Sequence, residues 1–491
     1  MTPMSLKDLF ADVPILFLSG DDRTEIRGIA YASRDVRPGY LFAALKGLKA
    51  DGNEFVADAA ARGAVAVLSE RPRPPQVGLN WVHVQDAREC LALSAANFFG
   101  RPSDRQKVVG VTGTKGKTTV TYVLEEIIRA AGGQPAVLGT VSYRGPGLSV
   151  EAGRTTPEAP DLQRYLRTVL DGGGTHTLIE VSSHALELKR VWGVSFDVVV
   201  FTNLSGEHMD YHASMEDYFE AKKKLFFLDH KKNTAVVNMD DPWGRKLLAE
   251  LPMRTVSFGF EPAAIVRAVK AVFREDGIRA GVEYPGGKLQ VESRLVGRHN
   301  LYNILVAAAA GLSLNLPAKA IEDGIAGLSE VPGRFERVPN ALGFQVIVDY
   351  AHTDNALQNL LECVRAMKPR RIILVFGCGG NRDTTKRERM GEVAGRLADW
   401  TIITSDNPRQ EDPLAIIAAI ESGFVRAGSK AYAVQPDRRS AIRDALDQAR
   451  KGDYVLIAGK GHETSQIIKD EKVPFDDVAV VREILGEKGA A

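Results

Sequence analysis

Short apolar runs alternate with polar turns through the first hundred residues: Gly28 to Ala32, Tyr40 to Leu45, Ala64 to Leu68 and Trp81 to Val84. Runs of this length between turn formers predict strands, and Ala87 to Phe99 behind them has helical periodicity. Together they read as a small α/β domain, closed by the turn-rich Gly100-Arg101-Pro102-Ser103-Asp104. From Lys107 the pattern changes to buried strands followed by helices. It begins with KVVGVTG and the amphipathic TTVTYVLEEIIRAAGG and continues through HTLIEV, FDVVVFT and TAVVNM, a mainly parallel sheet covered by helices. Arg254 to Arg298 alternates in the manner of an antiparallel excursion, and HNLYNILVAAAAGL after it reads as a helix. Pro332 and Gly333 then break the pattern. FQVIVDY, RRIILVFG, WTIITSD and DYVLIAG come next, alternating with helical segments in a second doubly wound series. The expected α/β fold has three domains, at 1–106, 107–332 and 333–491. There is no internal repeat, and Gly172 to Gly174 and Gly286-Gly287 read as loops.

Charge removes one class of function. Lys and Arg number 63 against 62 Asp and Glu, so the chain lacks the basic excess of a dedicated nucleic-acid binder. Cys90, Cys363 and Cys378 form no CxxC pair, which supports neither a disulfide framework nor a cysteine zinc site and fits a reducing cytoplasm. The N-terminus has no basic n-region and no stretch reaches the roughly 18 apolar residues a span requires. Neither secretion nor membrane insertion is expected.

The strongest chemistry lies in Gly113-Thr114-Lys115-Gly116-Lys117-Thr118-Thr119, between the strand KVVGVT and a helix. Glycines let backbone amides approach phosphate oxygens, and the helix N-terminus adds a positive dipole. Lys117 neutralises terminal phosphate charge, and Thr118 or Thr119 can hold Mg2+. Two residues separate Gly113 from Gly116 where the common phosphate loop has four, which disfavours a generic kinase or GTPase. Glu180 ends the strand HTLIEV at the sheet edge where open α/β folds bind ligands, and is a metal candidate. His208 follows FDVVVFT at the equivalent edge; taken alone it reads as a solvated loop histidine.

The ordered series YASRDVRPGYLFAALKG, GTKGKTT, RTTP, EVSSHALELKR, NLSGEHMDYH, YFEAKKKLF, GRHNLYNILVAAA, GRFE, DYAH, GCGGNRD, SDNPR and GKGHE resembles the Mur ligase family over essentially the whole chain. It is most similar to the branch that adds the third residue of the peptidoglycan stem peptide. The resemblance implies an N-terminal domain for UDP-MurNAc, a central ATPase domain with a P-loop-like parallel sheet and a C-terminal Rossmann-like domain. It assigns Tyr31, Ser33, Leu48, Lys49 and Ala50 to UDP-MurNAc, and Thr155, Thr156, Ser182 and Arg190 to the muramoyl peptide. Lys222 matches the lysine carbamylated in the family, a CO2-derived anion positioning Mg2+ with Thr118, Glu180 and His208; its run with Lys223 and Lys224 otherwise reads as a solvated helix face. His299, Asn300 and Asn303 resemble the adenine-side segment, and Arg334 and Asp349 the ribose-side contacts. Asp354 stands where these ligases commonly have proline, a change expected to touch a helix start and not the chemistry.

Resemblance also implies a pocket for meso-diaminopimelate: Asp406-Asn407-Pro408-Arg409, Arg382, Gly459 and Glu463, with Arg409 gripping the distal carboxylate and Glu463 accepting the distal ammonium. The expected reaction is ATP-dependent amide formation on UDP-MurNAc-L-alanyl-D-glutamate by a monomer. The alternatives are the same reaction with L-lysine, or another Mur or folylpolyglutamate-type ligase. A non-catalytic scaffold is disfavoured by the intact GTKGKTT, Glu180, Lys222 and His208.

Overall fold

The apolar runs near the N-terminus pair into a five-stranded sheet ordered Phe17–Ser19, Asn80–His83, Ala64–Ser69, Tyr40–Ala43, Gly28–Ala30. Only the first pair is antiparallel. The structure is a computed structural model that describes residues 2–47, 50–206, 211–228 and 233–489. The chain divides into two compact units, one of residues 1–204, 216–267 and 306–324 and the other of 205–215, 268–305 and 325–491.

The first unit also holds the central sheet. Pro135–Leu138, His176–Glu180, Lys107–Thr112, Val198–Phe201, Thr234–Asn238 and Arg254–Gly259 lie side by side and parallel. Helix Lys117–Ala130 follows the strand Lys107–Thr112 and buries Val120, Val123, Leu124, Ile127 and Ile128, which recur at helical spacing. Parallel pairing sends every strand's carboxyl end to one edge, so the phosphate loop after Thr112, Glu180 and the segment after Phe201 converge there. One expectation is corrected: Arg254–Gly259 pairs in parallel, because helix Pro242–Glu250 supplies the crossover from Thr234–Asn238. Further along this stretch Gly277–Tyr284 and Gly287–Ser293, in the second unit, do form an antiparallel hairpin.

That unit's six-stranded sheet runs Glu336–Arg337, Gln345–Asp349, Asp453–Ala458, Arg371–Phe376, Trp400–Ile403, Tyr432–Val434, parallel except for the first pair. Leu357, Leu361, Phe376 and Phe424 fill one face, and Val346, Val375, Ile442 and Ile484 the other. The late strand Asp453–Ala458 inserts between two early ones, which brings the turn after Ala458 beside the loops that come after Asp349 and Ile403. Helix Asp354–Ala366 begins on Asp354 and is capped by the Thr353 hydroxyl.

Candidate active site

The phosphate loop is braced from the neighbouring strand end. Thr114 N–H donates to the Asn203 carbonyl at 2.8 Å, Lys115 N–H to Asn203 Oδ1 at 3.0 Å, and Thr202 Oγ1 to the Lys115 carbonyl at 2.6 Å. Gly113 sits at φ +138°, and a Cβ there would lie 1.9 Å from Thr202 Oγ1, so only glycine lets the loop pack this closely. Lys117, the first residue of its helix, donates back to the Gly113 and Thr114 carbonyls at 2.8 and 3.0 Å. The loop therefore holds its own cation over the place where phosphate oxygens approach.

Glu180 is 1% exposed. Its carboxylate accepts from Thr118 Oγ1 at 3.1 Å, Thr140 N–H at 3.1 Å and Thr140 Oγ1 at 2.9 Å, and pairs with no cation among the described residues. Gly139 leaves it room, since a Cβ there would fall 2.3 Å from Glu180 Oε1. A buried carboxylate ringed by hydroxyls suits a hard, oxygen-seeking cation. No group of three His, Cys, Asp or Glu gathers among the described residues.

Lys222 does not lie on a solvated face. It is 1% exposed, donates to the Gly113 carbonyl at 3.0 Å and lies 4.4 Å from the Tyr218 ring centroid, whereas Lys223 and Lys224 pair with Glu220, Glu250 and Glu187 at the surface. Lys117 and Lys222 thus reach one carbonyl. His208, Leu48 and Lys49 lie outside the described residues.

Of the muramoyl-peptide candidates, Thr155 bonds Thr140 at 3.1 Å, next to Glu180. Thr156 and Ser182 also serve the backbone: Thr156 Oγ1 donates to the Glu180 carbonyl at 2.7 Å, and Ser182 caps its short helix. Arg190 is paired with Glu158 at 2.9 Å, and burial lowers its pKa. Tyr31 donates to Asp161 at 2.6 Å; burial and then that bond push its phenol up. Ser33 helps to hold the Asp58 carboxyl below its usual range, and Ala50 is exposed.

In the second unit, Asp349 accepts from Phe335 N–H at 2.7 Å and Ala351 N–H at 2.8 Å; surrounding protein raises its pKa and Arg334 pulls it back. Arg334 lies 4.6 Å from the Tyr350 ring centroid, its buried Nε without a hydrogen bond among the described residues. Asn303 donates to Asn300 at 3.0 Å. His299 instead lines a cavity of about 840 Å3 with Phe273, Tyr302 and Cys363.

Asn407 donates to Glu463 Oε2 at 2.8 Å and Arg409 to the Gly380 carbonyl at 2.8 Å. The Arg409 guanidinium has its pKa lowered by burial and then by Arg382, with Asp406 and Glu463 acting against both. Gly459, at φ +114°, keeps its turn against Asp406, where a Cβ would fall 2.7 Å from Oδ2.

Known proteins are similar to this chain over most of its length. Models of the Mur ligase family catalytic domain, the Mur ligase middle domain and the Mur ligase glutamate ligase domain match residues 25–99, 111–311 and 333–461. A protein of Solibacter usitatus named UDP-N-acetylmuramoyl-L-alanyl-D-glutamate--2,6-diaminopimelate ligase is 48% identical over 94% of each chain. One of the same name from Geobacter metallireducens is 47% identical over 99% of this chain and 100% of its own. A solved structure of a ligase so named superposes with TM-score 0.71 at 31% identity, covering 99% of this chain and 100% of that one. The chain belongs to the Mur ligase family.

As a Mur ligase it is an ATP-dependent acid–amino-acid ligase with the family's three α/β domains. Among its described residues no helix is long and apolar enough to cross a membrane. Thr140, Thr202 and Asn203 were not among the residues expected from the sequence of this Mur ligase, although they shape the site. Asn203 opens the NLSGEHMDYH segment and was within reach; nothing local marks Thr140, which meets Glu180 from 40 residues away.

Proposed function

We propose that this Mur ligase joins meso-diaminopimelate to UDP-MurNAc-L-alanyl-D-glutamate in the cytoplasm, with ATP converted to ADP and phosphate. An oxygen of the D-glutamyl carboxylate attacks the γ-phosphorus as the bond to the β-phosphate oxygen breaks, giving an acyl phosphate and ADP. The incoming amine then attacks the acyl carbon, loses a proton and expels phosphate through a tetrahedral intermediate. Lys117 and the loop amides hold the phosphates, and Tyr31, Ser33 and Thr155 orient the precursor. Glu180, Thr118 and a carbamate on Lys222 would hold Mg2+, which when bound neutralises phosphate charge. Asn303, Arg334 and Asp349 would take the adenosine.

The observation that carries the amino-acid assignment is the pairing of signs at one place: Arg409 stands two residues from Asn407, which donates to Glu463 Oε2 at 2.8 Å, and Arg382 and Glu463 act on the Arg409 charge with opposite signs. A side-chain end bearing both a carboxylate and an ammonium needs both. L-lysine, lacking the carboxylate, would leave Arg409 facing a like charge. The test is ADP release with UDP-MurNAc-dipeptide present and each amino acid offered in turn. Diaminopimelate is expected to be strongly preferred, and Arg409→Ala to lose about tenfold or more of that preference. A wild-type preference for L-lysine overturns the assignment.

A further inference from the structure

Lys460 is 0% exposed, and an ammonium so placed is costly unless its charge and all three N–H groups are used. They are. Its Nζ donates to the Ser465 carbonyl at 2.7 Å, Glu463 Oε2 at 3.0 Å and Asn407 Oδ1 at 3.2 Å. Asn407 completes the knot, with its Oδ1 also accepting from Ile467 N–H at 2.9 Å and its Nδ2 donating to the same Glu463 oxygen. Glu463 therefore has one oxygen doubly occupied, while Oε1 accepts nothing among the described residues. Its side chain keeps 31% of its surface accessible, so a ligand can reach it.

We infer that Lys460 is a specificity-determining positioning residue: it fixes Glu463 and Asn407 and cancels part of the negative charge that a side-chain ammonium would meet. The inference rests on the reading of this pocket as the amino-acid site. Arg382, Asp406 and Glu463 act electrostatically on Arg409, and Lys460 Nζ bonds Glu463 at 3.0 Å, so three cations and two carboxylates set the charge of this region. The far end of diaminopimelate brings one charge of each sign and leaves that balance unchanged. The far end of L-lysine adds a cation to a pocket already positive. Selectivity then comes from the whole charge set, with Lys460 supplying the part that Arg409 does not, and repulsion of the wrong ligand is half of the discrimination.

The experiment compares kcat/KM for diaminopimelate and L-lysine in the wild type, Lys460→Met and Lys460→Arg, with KM for ATP as an internal control. The methionine variant keeps the apolar stem and loses the charge. It is expected to shrink the diaminopimelate-to-lysine ratio about tenfold or more, through KM more than kcat, with KM for ATP nearly unchanged. The arginine variant should keep the ratio within about threefold even if its rate falls. A residue with a merely structural role would depress both substrates equally, and an unchanged ratio in Lys460→Met overturns the inference. Should that variant fail to fold, Glu463→Gln reads the same balance from the other side. The ratio should then widen because the pocket becomes more positive, and an unchanged or narrowed ratio overturns the inference. A diaminopimelate-selective wild type with Lys460→Met unchanged defeats the inference alone, whereas a wild type that prefers L-lysine defeats the reading beneath it.

Discussion

Three donors and no cation surround the Glu180 carboxylate among the described residues, and that asymmetry separates its structural from its chemical contribution. An amide can replace the carboxylate within the same hydrogen-bonding shell, but it carries no charge for Mg2+. Glu180→Gln is therefore expected to leave folding stability within about 1 kcal/mol of wild type while abolishing ADP release, as read by urea denaturation beside the assay. Loss of folding would show that the carboxylate is needed for structure. Lys222 makes the complementary case, because its amine is buried against a carbonyl that Lys117 also uses. If the working group is the carbamate, Lys222→Ala should be inactive and regain part of its turnover with added short carboxylic acids, whereas Lys222→Arg should stay inactive. Equal activity of the arginine variant would exclude the carbamate. At this scale the motif legibly carried Lys117 and the loop glycines. It did not reveal that Thr156, Ser182 and Arg190 have protein partners of their own, since a side chain's partner across the fold is not encoded beside it.

Among the elements, the turn 459–463 binds two halves of the second unit's chemistry. On one side Gly459 N–H donates to the Asp349 carbonyl at 3.0 Å, and Gly461, at φ +54°, would place a Cβ 2.8 Å from both the Gly333 carbonyl and Tyr350 Cβ. On the other side Lys460 and Glu463 hold Asn407. Gly461→Ala combines a left-handed backbone cost of about 1 kcal/mol with two close contacts, so the turn must move. KM for ATP and KM for the amino acid are expected to rise together. A rise in only one would mean that the two sides are independent. The strands and helices flanking this turn follow their sequence patterns closely, from Arg371–Phe376 to Asp453–Ala458. The strand Arg254–Gly259 did not, because a crossover helix, and not the strand's own pattern, sets its direction.

For the whole molecule the clearest measurable signature is pH dependence. His299 is exposed at the cavity it lines, while the protein packed around it lowers its pKa to about 4 from 6.5. The unfolded chain then takes up a proton that the folded chain refuses between these values. Its contribution to stability is full above about 6.5 and is lost as pH falls toward 4. Urea midpoints at pH 7.5 and pH 4.5 should differ less in His299→Gln than in wild type, and equal differences would remove His299 from the acid response. The order of elements and the phosphate loop were settled by the sequence alone, because helical period, apolar runs and glycines that must adopt positive φ act over a few residues. Other features were decided by tertiary structure: which lysine of three is buried at Gly113, that Thr140 closes on Glu180, and that Asp453–Ala458 enters between two earlier strands so that Lys460 meets Asn407. Each depends on strand pairing across tens of residues, where packing of the whole sheet, and no local preference, selects the neighbour.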